Sequence, residues 1–138
     1  MDNQDYSFED LAVWQKAREI RNVIFHMVKR FPKSERDRLS DAMIKTSRAI
    51  GDEIAEGTGR QNSDEMIDFC FRSRGAVNRL INQFTTAMDC NYIEEISFKK
   101  NRDELNRCIK LINEYINYLK KGSDKDSGTD LKENILIK

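Results

Sequence analysis

Apolar residues recur at steps of three and four through four segments of about twenty residues each, and this periodicity limits the chain to helices packed on helices. The first segment runs from about Phe8 to Arg30. Its stripe is Val13, Ala17, Ile20, Ile24, Met27 and Phe31, with Ser7 in position to cap it and Glu9 and Asp10 in the first turn. Phe31-Pro32 stops it, because a residue before proline avoids the helical region. The second, about Ser34 to Glu56, carries Leu39, Met43, Ile50 and Ile54, with small Ala42, Thr46 and Ser47 between them and Gly51 in mid-pattern, where a close helix contact or a slight bend would explain it. The third runs from about Ser63 to Met88 with a stripe of Met66, Phe69, Ser73, Val77, Leu80, Phe84 and Ala87. Beside it lies a second row of Ile67, Phe71, Ile81 and Met88, an arc wide enough to be internal to a bundle or to reach a subunit interface. The fourth starts near Ser97, a potential cap, and carries Phe98, Leu105, Cys108, Ile112, Tyr115 and Leu119 to about Lys120, with Gly122 ending it.

Helices of about 30 Å joined by short links predict an all-α fold, an antiparallel up-down four-helix bundle over residues 1–121. The polar, glycine-containing stretch that follows predicts a flexible C-terminal tail over 122–138. Its last residues, Ile135, Leu136 and Ile137 among them, would either dock on a partner or fray. One proline and six glycines are too little punctuation for a strand-rich domain.

The three cysteines, Cys70, Cys90 and Cys108, have no metal-ligand spacing. Cys70 and Cys108 fall on apolar stripes, which predicts reduced core residues and a cytoplasmic protein. The opening MDNQDYSFED is acidic and polar, unlike a signal peptide, and no apolar run approaches membrane-spanning length. His26 has no Cys or second His at ligand spacing, and Glu-x-x-His pairs are absent. With no nucleophile, base and orienter in evidence either, the expectation is a protein that is not an enzyme and needs no cofactor and no metal.

Net charge is zero, with 24 basic and 24 acidic residues, but the charges come in blocks. Trp14 to Arg48 holds ten Lys/Arg against Glu19, Glu35, Asp37 and Asp41. Ala49 to Phe71 holds Arg60 against six acids. Either the blocks only solvate helices or they give the molecule distinct basic and acidic faces. Lys29, Arg30, Lys33, Arg36 and Arg38 crowd the first link, Lys45 and Arg48 continue along the second helix, and Arg72 and Arg79 share similar faces of the third, with Arg74 offset. Cations in this pattern can track a phosphate backbone, which makes RNA or DNA the expected partner. Aromatic interleaving is weak, so base-specific stacking has little support.

The stretch IAEGTGRQNSDE, residues 54–65, holds two glycines between helical patterns. A Rossmann loop needs a preceding strand and a third glycine, and a Walker loop needs Gly-Lys-Ser/Thr; neither is present. The stretch therefore reads as a structural hinge. Gly57 takes a left-handed position after Glu56, Gly59 relaxes the turn, and Asn62 caps the next helix, with Glu65 at capping-box spacing. Glu56 opposes the helix dipole there, so a specific partner is expected. Arg60 is the nearest; it pairs with Glu56, caps the carbonyls of the second helix, or faces a ligand.

Three motifs, in order, resemble the four-helix-bundle family of 23S rRNA intervening-sequence proteins, a family related to the accessory variability determinant of diversity-generating retroelements. Phe8, Leu11, Val13, Trp14, Gln15 and Ala17 match its Phe-x-x-Leu-x-Val-Trp-Gln-x-Ala; Phe31, Pro32 and Glu35 match Phe-Pro-x-x-Glu; Ile54, Ala55, Glu56, Gly57, Gly59 and Arg60 match Ile-Ala-Glu-Gly-x-Gly-Arg. The likeness spans about residues 8 to 95. The chain departs from the pattern where Tyr-Gly-Leu becomes Asp37-Arg38-Leu39, where paired arginines become Ile44 and Lys45, and where Ile-Pro-x-Asn becomes Ile50-Gly51-Asp52-Glu53. The resemblance implies a bacterial homo-oligomer, a pentamer favoured, without catalytic residues. In the retroelement relatives it also implies binding to nucleic acid and to a reverse transcriptase. A protein-binding scaffold with no direct nucleic-acid contact is the alternative.

Overall fold

The protein is described by a computed structural model over residues 6–121 and 134–137. It is all-helical, with α1 at Ala12–Met27, α2 at Asp41–Thr58, α3 at Ser63–Asp89 and α4 at Glu95–Lys120. Each helix packs on the next in sequence, and α1 also packs on α4, so the four enclose one core.

The apolar stripes meet in that core. Ile24, Met43, Ile50, Ile54, Met66, Leu80, Leu105, Ile112 and Tyr115 are almost completely buried. A buried Leu, Ile or Phe side chain contributes about 1.5–3 kcal/mol, which makes this shared interior the main source of stability. A buried hydroxyl inside it is paired: Ser73 donates to the Ile50 carbonyl across the α2–α3 seam at 2.8 Å. Tyr6 and Tyr115 share a hydroxyl–hydroxyl bond of 3.2 Å, and Lys16 of α1 reaches Glu104 of α4 at 2.8 Å. Of the second row on α3, Ile67, Ile81 and Met88 are half-buried, while Phe71 is 43% exposed.

Several helix ends differ from the sequence reading. Ser7 precedes a short 3-10 turn, Phe8–Asp10, and the residue before α1 is the extended Leu11 (φ −77°, ψ 130°). The second helix begins at Asp41, because a 3-10 turn at Lys33–Glu35 and a π-type turn at Arg36–Ser40 occupy the stretch read as its first turns. Arg38 leaves helical geometry there (φ −123°, ψ −106°). The fourth begins at Glu95, two residues before Ser97, whose carbonyl instead accepts the Asn101 amide at 2.8 Å.

The hinge reading needs a correction. Gly57 is not left-handed: it lies inside α2, and no described glycine has positive φ. What requires glycine is space. A Cβ on residue 57 would stand 2.6 Å from the Met66 sulfur and 2.8 Å from the Phe69 Cβ. The left-handed residue of the turn is Gln61 (φ 53°). Asn62 does cap α3, its side-chain oxygen accepting the Glu65 N–H at 3.1 Å.

Residues 134–137 dock on the bundle rather than fraying. Ile135 is buried, Leu136 forms an isolated antiparallel bridge with Leu11, and the Ile137 N–H donates to the Asp10 carbonyl at 2.9 Å. Gly122 and the rest of the 122–133 stretch read as a flexible tail lie outside the described residues, as does Lys138. All three cysteines are free. Burial pushes the Cys70 and Cys108 thiols up to about 12, which leaves them inert at neutral pH, and Cys90 is exposed.

Candidate nucleic-acid interface

The link between α1 and α2 is built around Pro32. A proline cannot continue α1, so the chain turns out at Phe31 (φ −73°, ψ 157°) while the Phe31 ring stays buried. That ring packs 5.3 Å from Tyr92 in the link between α3 and α4. Asn91 places Tyr92 there. It adopts a left-handed φ of 62°, its N–H bonds the Met88 carbonyl and the Tyr92 N–H reaches back to the Ala87 carbonyl, both at 2.9 Å. This is a Schellman closure with asparagine in place of glycine.

Glu35 then ties the two links. One carboxylate oxygen accepts the Tyr92 hydroxyl at 2.7 Å and the other the Leu39 N–H at 3.3 Å. These bonds, Tyr92's first, hold the Glu35 carboxyl below the usual carboxylate range; in return the same bond pushes the Tyr92 phenol up to about 12. One of the few acids near the basic cluster is thereby committed to a structural bond.

The five link cations, Lys29, Arg30, Lys33, Arg36 and Arg38, are all exposed, and among the described residues none forms an ion pair. The Lys29 ammonium stands 4.2 Å from the centre of the exposed Phe25 ring, one turn back on α1. Between Lys29, Lys33 and Arg36 opens a groove of about 310 Å³ with Val28, Phe31, Pro32 and Ile44 as its apolar walls. The irregular turns create this arrangement. A continuous helix from Ser34 would have spread the charges around its circumference.

The remaining sequence candidates are placed differently. Lys45 is exposed but engaged by Asp41 at 2.9 Å, and Arg48 lies exposed further along α2. Arg72 is not part of the link cluster: its guanidinium stacks on Phe69 at 4.7 Å, where Arg60 also approaches the ring at 5.3 Å. Arg79 is exposed on α3, and Arg74 bonds Asn113 at 2.7 Å. Arg60 reaches Glu56 at 3.1 Å with both side chains about half or more exposed (49% and 60%), so the expected pair forms as an ordinary surface ion pair.

A family model for the 23S rRNA-intervening sequence protein matches residues 9–114, from the turn before α1 to most of α4. The chain belongs to this family. No curated protein matches it. The matched region contains the whole basic link and the 54–65 turn, and stops short of the docked C-terminal segment.

Sequence reasoning found the cations but missed their setting. In the sequence Ile44 stands out only as a departure from the paired arginines of the family pattern, and its role as a groove wall depends on the turn at Arg36–Ser40. Glu35 and Tyr92 are 57 residues apart and carry no shared motif. Among the described residues no group of His, Cys, Asp and Glu is arranged to hold a metal, and no helix is long and apolar enough to cross a membrane.

Proposed function

We propose that the protein is a non-enzymatic, cytoplasmic, homo-oligomeric adaptor that binds nucleic acid through the basic link between α1 and α2. The observation that carries this reading is five exposed cations on one short link, none in an ion pair among the described residues, beside an acid already bonded to Tyr92. Neutralising a phosphate backbone releases condensed counterions, and cations that stand outside any ion pair give up none to do so. Lys45 and Arg48 extend the surface along α2, whereas Arg72 is occupied with Phe69.

The up-down antiparallel course of the helices belongs to the same proposal. Contacts that pair Tyr6 with Tyr115 and Lys16 with Glu104 support opposite directions for α1 and α4. Those that set Ser73 on Ile50 and Met66 beside Gly57 support the same for α2 and α3. In that arrangement the basic link and the α3–α4 link share one end of the bundle, as the Glu35–Tyr92 bond requires.

Assembly of several copies, five being the number favoured, would multiply weak patches into avid binding. Val23, Phe71 and Ile96 are 47%, 43% and 75% exposed and offer apolar surface for other copies or for a protein partner such as a reverse transcriptase. The test is fluorescence anisotropy with labelled RNA and DNA, on the native chain and on a variant with Lys29, Arg30, Lys33 and Arg36 all changed to Glu. Loss of binding in the variant, with its helical melt intact, is expected. Equal binding by both proteins would remove the link from the interface. A stable complex with a protein that survives nuclease and high salt, without nucleic-acid binding, would favour the scaffold reading instead.

A further inference from the structure

We infer that the groove at the α1–α2 link seats one unpaired nucleotide, so that this protein prefers single-stranded nucleic acid to duplex. The inference rests on the nucleic-acid reading above and goes further by assigning the form of the ligand.

The groove combines two chemistries. Its walls are apolar: Val28, Phe31, Pro32 and Ile44. Phe31 is pinned by Tyr92, and Pro32 is rigid by its own ring, so this part is preformed. Its edge carries Lys29, Lys33 and Arg36, no acid lines it, and Ser40 supplies the one hydroxyl. A phosphate alone would use the edge and leave the walls in water. A duplex would do the same, because its bases are paired and stacked away from the surface. A single-stranded nucleotide presents both an apolar planar base and a phosphate one linkage away, and so satisfies walls and edge together. The volume of about 310 Å³ lies at the small end of ligand pockets, about 300–1,000 Å³, and suits one nucleotide rather than a folded ligand.

Ile44 is the wall residue that decides the matter. It is half-buried at the start of α2, and a long charged side chain there would fill the groove while adding a cation to the edge. The experiment uses the full-length protein, a labelled twelve-nucleotide uridine-rich RNA and a duplex of equal length at one salt concentration, with native chain and Ile44→Arg compared. Burying part of a base against these apolar walls predicts about a five-fold preference or more of the native protein for the single strand. Ile44→Arg is expected to abolish that preference while duplex binding holds or rises. Competition by uridine monophosphate against inorganic phosphate needs no variant and is expected to favour the nucleotide by a similar factor. Equal binding of strand and duplex, a preference that survives Ile44→Arg, or equal competition by phosphate and nucleotide would overturn the groove assignment and leave the basic-link reading standing. Absence of binding to either RNA would overturn both.

Discussion

At Gly57 the packing of α2 on α3 leaves no room for a methyl group. A Cβ there would meet Met66 and Phe69 below 3.0 Å, and the Phe69 Cβ cannot swing away. Gly57→Ala should therefore destabilise the protein by about 1–3 kcal/mol, read as a lower denaturant midpoint. Gly75 sits in α3 with nothing within 4 Å of its missing Cβ, so Gly75→Ala should stabilise by about 0.5–1 kcal/mol in the same assay. The contrast separates a glycine held for space from one that is not. Gln61 carries the left-handed turn that sequence reading gave to Gly57. The signature Glu-Gly-x-Gly-Arg looks like a helix terminus, and only the neighbouring helix reveals that its first glycine is a packing residue. The Glu56–Arg60 pair, exposed on both sides, should give a coupling energy of only about 0.3–0.5 kcal/mol in a double-mutant cycle. A coupling above about 1 kcal/mol would mean that a subunit boundary or ligand encloses it.

Among the elements, the four helices were legible because periodicity reports which faces are buried, whereas the turns between them depend on partners far away in sequence. The α1–α2 link is the clearest case: its shape is held by Glu35 and Tyr92. Tyr92→Phe should lower the melting temperature, and the pH dependence has a definite sign. Glu35's carboxyl is depressed in the fold, so its contribution is present above the ordinary carboxylate pKa of 4.5 and fades as pH falls below it. The Tyr92 phenol is raised from 10.0 to about 12, so its contribution is present below pH 10 and is lost as pH climbs through that interval. The gap in melting temperature between native protein and Tyr92→Phe should be widest between these limits and narrow at both extremes. Residues 134–137 are held to the bundle by the buried Ile135, the Leu136–Leu11 bridge and the Ile137 N–H. Ile135→Ser should cost about 1–3 kcal/mol and no more, because undocking of residues 134–137 caps the loss. Hydrogen exchange would show the Ile137 amide exposed in that variant while α1 stays protected.

At the scale of the whole molecule, zero net charge conceals an uneven distribution. The acidic block belongs to the second half of α2 and the start of α3, and the basic block runs from α1 through the link that meets Tyr92 into the first half of α2. The uneven blocks were visible in the sequence, since they are runs along the chain. That Arg72 is drawn onto Phe69, and that Lys29, Lys33 and Arg36 surround an apolar groove, became visible only once irregular turns and tertiary contacts were in place. The most direct test of the basic link as a phosphate-binding surface is the slope of log binding constant against log salt concentration for a single-stranded RNA. The native protein should bind at about 50 mM salt and weaken steeply as salt rises, and Lys33→Gln with Arg36→Gln should flatten the slope by about one to two units. A slope unchanged by those substitutions, or no binding at about 50 mM salt, would contradict the account.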